Sequence, residues 1–502
     1  MSVQWDEMPH LLGGLLLTRG QTNLYMTTYG YYPPLFDLIT TGFLQVLGAT
    51  AIAGRLVSVI FSLLALWTAF ELGNRMYGPK IGLVASVLLG VMPGFLWLSR
   101  ITMLETILIF FFTLTMLVFY EWITKNSNKA LIFSGLILGV GILAKYQILV
   151  AAIAMAVSIL LLARKRLKIS LIKLLIILVI AFLVIAPWFL MVYQFNGMTK
   201  FQTVGYVVQV GGENRPSYSN RFFYPVFYFI EMTWPYAAVH PVSLPIMILG
   251  FSGLVFFAYR RKREDIFLLT WFAVVFAFFS VIPDKQWRYV DVLFPLLGIS
   301  AAALLIFLYG RLRSWKPKRL GIAGERQKKL AALVFIVIAV STIAYSTYDA
   351  YNMTARDEIH IPIQEATTYL AGHLDQNQSA VIICAFNLLD QDMFRFYMPS
   401  NMSQDQIWQY PYLPVDAYTP NFNITELVNL CYQRNVKYII LFDFGPHQPF
   451  FNTTLDYTQV ETMIYNTHMF GDPKDQPFFG SFYGNYGYRL FLVRFVGNQT
   501  QT

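Results

Sequence analysis

Apolar residues in this chain come in runs of about 20, separated by short polar loops, across residues 53–348. A helix of about that length crosses some 30 Å of hydrocarbon. Backbone polar groups in lipid must be satisfied within the segment, so each run is predicted to be a transmembrane helix. Ten are predicted: 53–73, 81–98, 105–123, 130–145, 147–163, 169–193, 242–259, 265–282, 289–309 and 330–348. Two more stretches, 33–49 and 221–241, are apolar but begun or broken by prolines. They are read as helices lying at the membrane surface. Beyond residue 349 the pattern shifts. Ala380–Cys384 and Tyr438–Phe442 read as buried strands, Thr425–Arg434 as a helix and Arg489–Val496 as a last strand. The predicted fold class is mainly α: a polytopic transmembrane domain over 1–349, with an external loop 1–52, and a smaller external α/β domain over 350–502.

Charge orients the helices. The basic residues Arg75 and Lys80, Lys125 and Lys129, Arg164–Lys168, Arg260–Arg263 and those between Arg311 and Lys329 occupy alternate loops. With ten spans all five loops fall on one side, which the positive-inside rule makes cytoplasmic. Counting 33–49 or 221–241 as a span would break that agreement. Residues 1–52, 99–104, the turn near 146, 194–241, 283–288 and the tail after about 349 are then expected outside. The N-x-S/T sequons agree: Asn352, Asn377, Asn401, Asn423, Asn452 and Asn498 all lie in the C-terminal part.

Composition adds little to this picture but excludes alternatives. The chain is 56% hydrophobic and only 13% charged, against about 25% charged for a soluble domain. Its net charge of +9 resides in the short loops, where membrane orientation needs it, so nucleic acid is not expected as a partner. Two cysteines, Cys384 and Cys431, permit one disulfide or two unlinked thiols. No cleavable signal peptide is visible at Met1–His10.

The candidate chemistry lies on the external face. Asp6 and Glu7 form an adjacent acidic pair before an apolar stretch, where a carboxylate serves as general base or simply as a helix-start acid. Arg100 and Glu105 sit where a long helix begins. Lys145 stands alone between two apolar runs, either snorkelling to the surface or aimed at an anion. Lys285 and Arg288, in Pro283–Tyr289, lie on the side that should be poor in cations. A lipid phosphate would explain them, and so would pairing with Asp284, Asp291 or Glu105.

The order of these elements carries a resemblance. An acidic pair is followed by Tyr32-Pro33-Pro34-Leu35, then Arg100 and Glu105, then Gly139–Tyr146 (GVGILAKY), then Pro283–Tyr289 (PDKQWRY). Over about residues 1–310 this resembles the GT-C membrane glycosyltransferases, in the protein O-mannosyltransferase and aminoarabinose-transferase-like group. The resemblance implies a GT-C-type helical domain and a polyprenyl-phosphate sugar donor. It implies Asp6 and Glu7 as the catalytic acids, Glu105 as the second acidic site, and Lys145, Lys285 and Arg288 as donor-phosphate ligands. His10, Pro33, Pro34, Arg100 and Tyr289 would support them. The family's second acid is usually Asp, and it often has Lys or Arg where this chain has Tyr32. Members also carry a helix before the acidic loop, so a segment upstream of Met1 is expected.

The expected reaction is transfer of a hexose- or pentose-type sugar to an acceptor hydroxyl of protein, lipid or glycan. No cofactor is required, although Asp6, Glu7 and Glu105 leave a divalent cation open. The rival reading is a lipid-linked sugar flippase, which would bind the same lipid without a catalytic base.

Overall fold

The computed structural model describes residues 7–199, 224–233, 240–282, 285–314, 324–356, 361–383, 389, 391–399, 401–410, 422–443, 457–471, 478–483 and 486–497. Its helices in chain order are α1 (Met8–Thr18), α2 (Thr22–Tyr29), α3 (Leu35–Leu47), α4 (Ala51–Tyr77), α5 (Pro79–Gly90), α6 (Pro93–Leu98) and α7 (Glu105–Lys125). Then come α8 (Asn128–Ala144), α9 (Leu149–Leu162), α10 (Leu167–Asn196), α11 (Tyr224–Thr233), α12 (Leu244–Arg260), α13 (Arg263–Val281), α14 (Phe294–Ser314) and α15 (Gly324–Arg356). The remainder are α16 (Ile363–His373), α17 (Gln391–Tyr397), α18 (Ile424–Gln433) and α19 (Tyr457–Asn466). The chain separates into two compact units. One comprises 20–43 and 52–355; the other comprises 1–19, 44–51 and 356–502.

The larger unit is helical. Six of its segments are long and apolar enough to cross a membrane: Ala51–Tyr77, Glu105–Lys125, Arg164–Asn196, Arg263–Val281, Trp287–Ser314 and Lys328–Ala355. Four more predicted spans form shorter apolar helices: Pro79–Gly90, Asn128–Ala144, Tyr146–Leu162 and Leu244–Arg260. One expectation needs correcting. The run 81–98 is two helices, α5 and α6, because Met92 stands before Pro93 and takes an extended conformation (φ −66°, ψ 125°). The proline ring disfavours helical backbone in the residue before it. Of 221–241, residues 224–233 are helical and 234–239 lie outside the described residues.

Helices approach closely where side chains vanish. Gly135 and Gly139 lie one turn apart on α8, against α10. A Cβ at Gly135 would stand 2.8 Å from the Ile177 carbonyl oxygen, and one at Gly139 would stand 2.9 Å from that of Ala181. Small residues four apart are a usual way for helices to pack in lipid, where no hydrophobic drive distinguishes partner from solvent.

The smaller unit holds a five-stranded sheet of order β2-β1-β3-β5-β4. The strands are β1 (Ser379–Ile383), β2 (Ile407–Tyr410), β3 (Val436–Asp443), β4 (Phe478–Tyr483) and β5 (Tyr486–Arg494). β1 pairs in parallel with β2 and β3, while β5 pairs antiparallel with β3 and β4. β1 is buried on both faces, as a central parallel strand must be. Cys431 of α18 sits in the core with Val381, Ile439 and Val493; burial pushes its thiol up to about 12. Cys384 lies outside the described residues. α1 belongs to this unit and packs on α17. The Arg19 guanidinium, just past α1, donates to the Met398 carbonyl at 2.9 Å.

Gly139→Leu is expected to lower the unfolding temperature of the detergent-purified protein, since a close-packed interface charges about 1–3 kcal/mol for added bulk. Gly310→Ala, on an exposed stretch of α14 where an added Cβ meets nothing within 4 Å, is expected to leave that temperature unchanged or raised. Equal behaviour of the two variants would contradict the α8–α10 packing.

Candidate functional site

At one end of the helical unit three charged side chains meet. Glu105 opens α7, where a helix N-terminus favours an acid. Lys145 follows α8. Its backbone is extended (φ −159°, ψ 131°), ending that helix before the short turn Tyr146–Ile148. The break projects Lys145 out of the helix end instead of along a lipid-facing side. Its Nζ lies 2.9 Å from Glu105 Oε1. Arg288 comes from the tight turn Trp287–Leu293, and its Nη1 lies 3.7 Å from the same oxygen. The guanidinium also reaches Met103 Sδ at 3.6 Å and donates to Gln286 Oε1 at 2.7 Å.

Both cations thus converge on one carboxylate oxygen. Glu105 Oε2 is buried and accepts no hydrogen bond from the described residues. Asp291, three residues after Arg288, is fully buried, and neither of its oxygens has a hydrogen-bond partner among the described residues. It lies within Coulombic range of Lys145, Glu105 and Arg288. A buried carboxylate without hydrogen bonds is costly, so this concentration of acceptors calls for a function. The cations remain able to take a ligand. Lys145 keeps 17% of its side-chain surface exposed and commits one of its three N–H donors to Glu105. Lys285 is buried nearby in sequence and donates to the Ile282 carbonyl at 2.7 Å.

The structure therefore brings together Glu105, Lys145 and Arg288, and adds Asp291, which sequence reasoning considered only as a counter-ion. The pairing of Arg288 with Glu105, the alternative weighed for these cations, is present. Arg100 follows α6 and makes no ion pair with this group among the described residues. Tyr289 packs on Phe279, with ring centroids 5.9 Å apart. Pro33 and Pro34 are buried immediately before α3. Glu7 and His10 are buried at the start of α1, in the other compact unit, and Asp6 lies outside the described residues. Among the described residues no group of three His, Cys, Asp or Glu is arranged to share a metal ion.

A second polar centre in the helical unit escaped the sequence reading. Tyr25 of α2 donates to Asp37 Oδ2 of α3 at 2.9 Å, with both residues buried. Burial and the Asp37 carboxylate push the Tyr25 phenol above its usual range. The available signal was one acid in an otherwise apolar helix.

The opposite helix ends carry a different network. Tyr77 at the end of α4 donates to Asp265 at 2.8 Å, and Arg260 binds the same carboxylate. Arg166 and Arg263 both donate to the Ile123 carbonyl, at 2.8 and 2.7 Å. These residues belong to the basic loops on which the expected orientation rests. The Glu105 cluster lies at the other ends of α7 and α13.

Comparison with known proteins finds the same fold elsewhere. Residues 32–191 match the family model for dolichyl-phosphate-mannose-protein mannosyltransferase. No curated protein sequence matches the chain significantly. Among solved structures, ArnT from Cupriavidus metallidurans in the apo state superposes with TM-score 0.61 at 12% identity, covering 98% of this chain and 94% of that one. The same protein bound to undecaprenyl phosphate gives 0.56 at 13% identity, with the same coverage. The archaeal oligosaccharyltransferase AglB from Archaeoglobus fulgidus, in complex with an inhibitory peptide and a dolichol-phosphate, gives 0.56 at 13% identity over 82% of this chain and 61% of that one. The fold is therefore that of these multi-pass membrane proteins.

Asp291→Asn is expected to change thermal stability by no more than about 1 kcal/mol, because the carboxylate it replaces accepts no hydrogen bond from the described residues. A marked loss of stability would show that the carboxylate has a partner and defeat this view of the cluster.

Proposed function

We infer, from the family match over residues 32–191 and from the shared fold, that this chain is a GT-C membrane glycosyltransferase. We propose that it moves a monosaccharide from a polyprenyl-phosphate carrier to an acceptor hydroxyl on the outer face of the membrane. The observation that carries this reading is the convergence of Lys145 and Arg288 on Glu105 at the helix ends away from the basic loops. Solved relatives of the fold hold undecaprenyl phosphate and dolichol-phosphate, which supports the same class of donor here.

The chemistry follows from charge. A sugar leaving its lipid phosphate turns a singly charged diester into a more highly charged monoester. Fixed cations in a water-poor site stabilise that developing charge without reorganising. Arg288 offers a fork to two phosphate oxygens, and Lys145 a point charge. Lys285 adds a third positive centre in the same segment as Arg288. Glu105 holds Lys145 and Arg288 in place and tempers their charge, so that the product carrier is not held too firmly. Asp6 takes the acceptor proton, with Glu7 beside it in sequence. The acceptor hydroxyl belongs to a protein, lipid or glycan. Residues 350–502 lie on the outer side, as the alternation of basic loops supports.

Two measurements test this in membranes supplied with labelled polyprenyl-phosphate sugars. Asp6→Asn is expected to cut transfer by at least about a hundredfold while donor binding persists, as loss of a general base does; undiminished transfer removes Asp6 from the mechanism. Lys145→Ala is expected to lower kcat by about 10²–10³ and to weaken retention of the bare polyprenyl phosphate. Lipid translocation by wild type without transfer would replace the enzyme by a flippase.

A further inference from the structure

Six sequons lie in the C-terminal part of the chain, and four of them fall on described residues. They are not equivalent. Attachment of a glycan needs an exposed asparagine amide and a reachable hydroxyl two residues on, both on a turn at the surface.

Asn352 fails first. It lies inside α15, within the apolar segment Lys328–Ala355, and its partner Thr354 is buried with its hydroxyl donating to the Tyr351 carbonyl at 3.0 Å. Asn377 is exposed, but its partner Ser379 is buried at the start of β1. That hydroxyl donates to the Arg434 carbonyl at 2.8 Å and accepts from Trp408 Nε1 at 3.1 Å. Asn423 is fixed as the N-cap of α18, where its Oδ1 accepts the Thr425 and Glu426 amides at 3.0 and 3.2 Å. Turning that amide toward a glycosyl donor would break a cap worth about 1 kcal/mol.

Asn401 meets every condition. It is exposed on a turn, with the Met402 amide bonded to the Pro399 carbonyl at 3.1 Å. Its partner Ser403 is also exposed. The Ser403 hydroxyl caps the turn Gln404–Gln406, accepting from the Asp405 amide at 3.4 Å and from the Gln406 amide, and keeps its proton to offer. Both groups face solvent, whereas the hydroxyls that partner Asn352 and Asn377 are buried; Asn423 and Thr425 are exposed too, but there the asparagine amide itself is the cap.

We propose that Asn401 is an N-glycosylation site of this protein, resting on the outer placement of residues 350–502. The glycan comes from a lipid-phosphate-linked oligosaccharide through a host oligosaccharyltransferase. A bond forms between Asn401 Nδ2 and the anomeric carbon. The bond from that carbon to the carrier phosphate oxygen breaks, the carrier leaves as its phosphate, and the amide gives up one proton. The site stands three residues beyond Met398, whose carbonyl anchors Arg19, so the glycan marks the same end of α17.

The test is mass spectrometry of the protein purified from its native host membranes. The peptide bearing Asn401 is expected to carry a glycan mass. Asn401→Gln and Ser403→Ala are expected to lose it, Ser403→Thr to keep it, and Asn423→Gln to leave it unchanged. A bare Asn401 peptide overturns the proposal, whether or not another sequon is modified. A second arm separates the inference from its premise: Asn401→Cys is probed in intact cells with a membrane-impermeant maleimide, against wild type as background. Labelling with a bare wild-type Asn401 sinks the glycan alone. Absence of labelling in intact cells with labelling after lysis sinks the outer placement and the glycan together.

Discussion

Hydrocarbon offers neither hydrogen bonds nor counter-ions, and that single property orders this molecule. Every backbone group within the bilayer must be met by its own helix, and every charge must be paired, expelled or put to use. The helical unit shows all three outcomes. Arg166 and Arg263 end on a helix-terminal carbonyl, Arg260 on Asp265, and Lys145 and Arg288 on Glu105. Only the last group concentrates acceptors that the described residues leave unmatched. The two helix ends therefore differ in kind: at one, Arg260, Arg166 and Arg263 tie acceptors down, and at the other, buried carboxylate oxygens receive no hydrogen bond from the described residues.

Much of this was legible in the sequence because lipid makes the code coarse. Runs of about 20 apolar residues cannot be strands or loops, and all ten predicted segments are helical. The break at Met92 was missed because a span is recognised by composition, while a kink depends on where one proline falls. In the smaller unit, β1, β3, β5 and α18 carry continuous apolar runs or a strong helical period, and they were found. β2 was not, because Ile407–Tyr410 is four residues long and flanked by polar ones. Its strand identity comes from pairing with β1, which is tertiary information.

The site was legible in parts. Glu105, Lys145 and Arg288 stood out as charges where charge is rare. Their meeting at a single oxygen could not be read, because Glu105 and Lys145 are 40 residues apart and only packing sets their distance. Asp291 was hidden by its neighbours: beside Lys285 and Arg288 in sequence it looks like a counter-ion, yet its oxygens receive no hydrogen bond from the described residues. Asp37 was hidden differently, as the lone acid of an apolar helix that finds Tyr25 across a turn.

The membership of α1 in the smaller unit reaches into the life history of the chain. Arg19 and Met398 are 379 positions apart, and contacts of such separation form late. Helix α1 must wait for 379 further positions of chain to be made before its lasting neighbour exists. Glu7, which begins that helix, is therefore set in place only after the apolar helix Lys328–Ala355 has been made. Biosynthesis thus has its own order of assembly: the segment that carries Glu7 is made long before the neighbour that holds it.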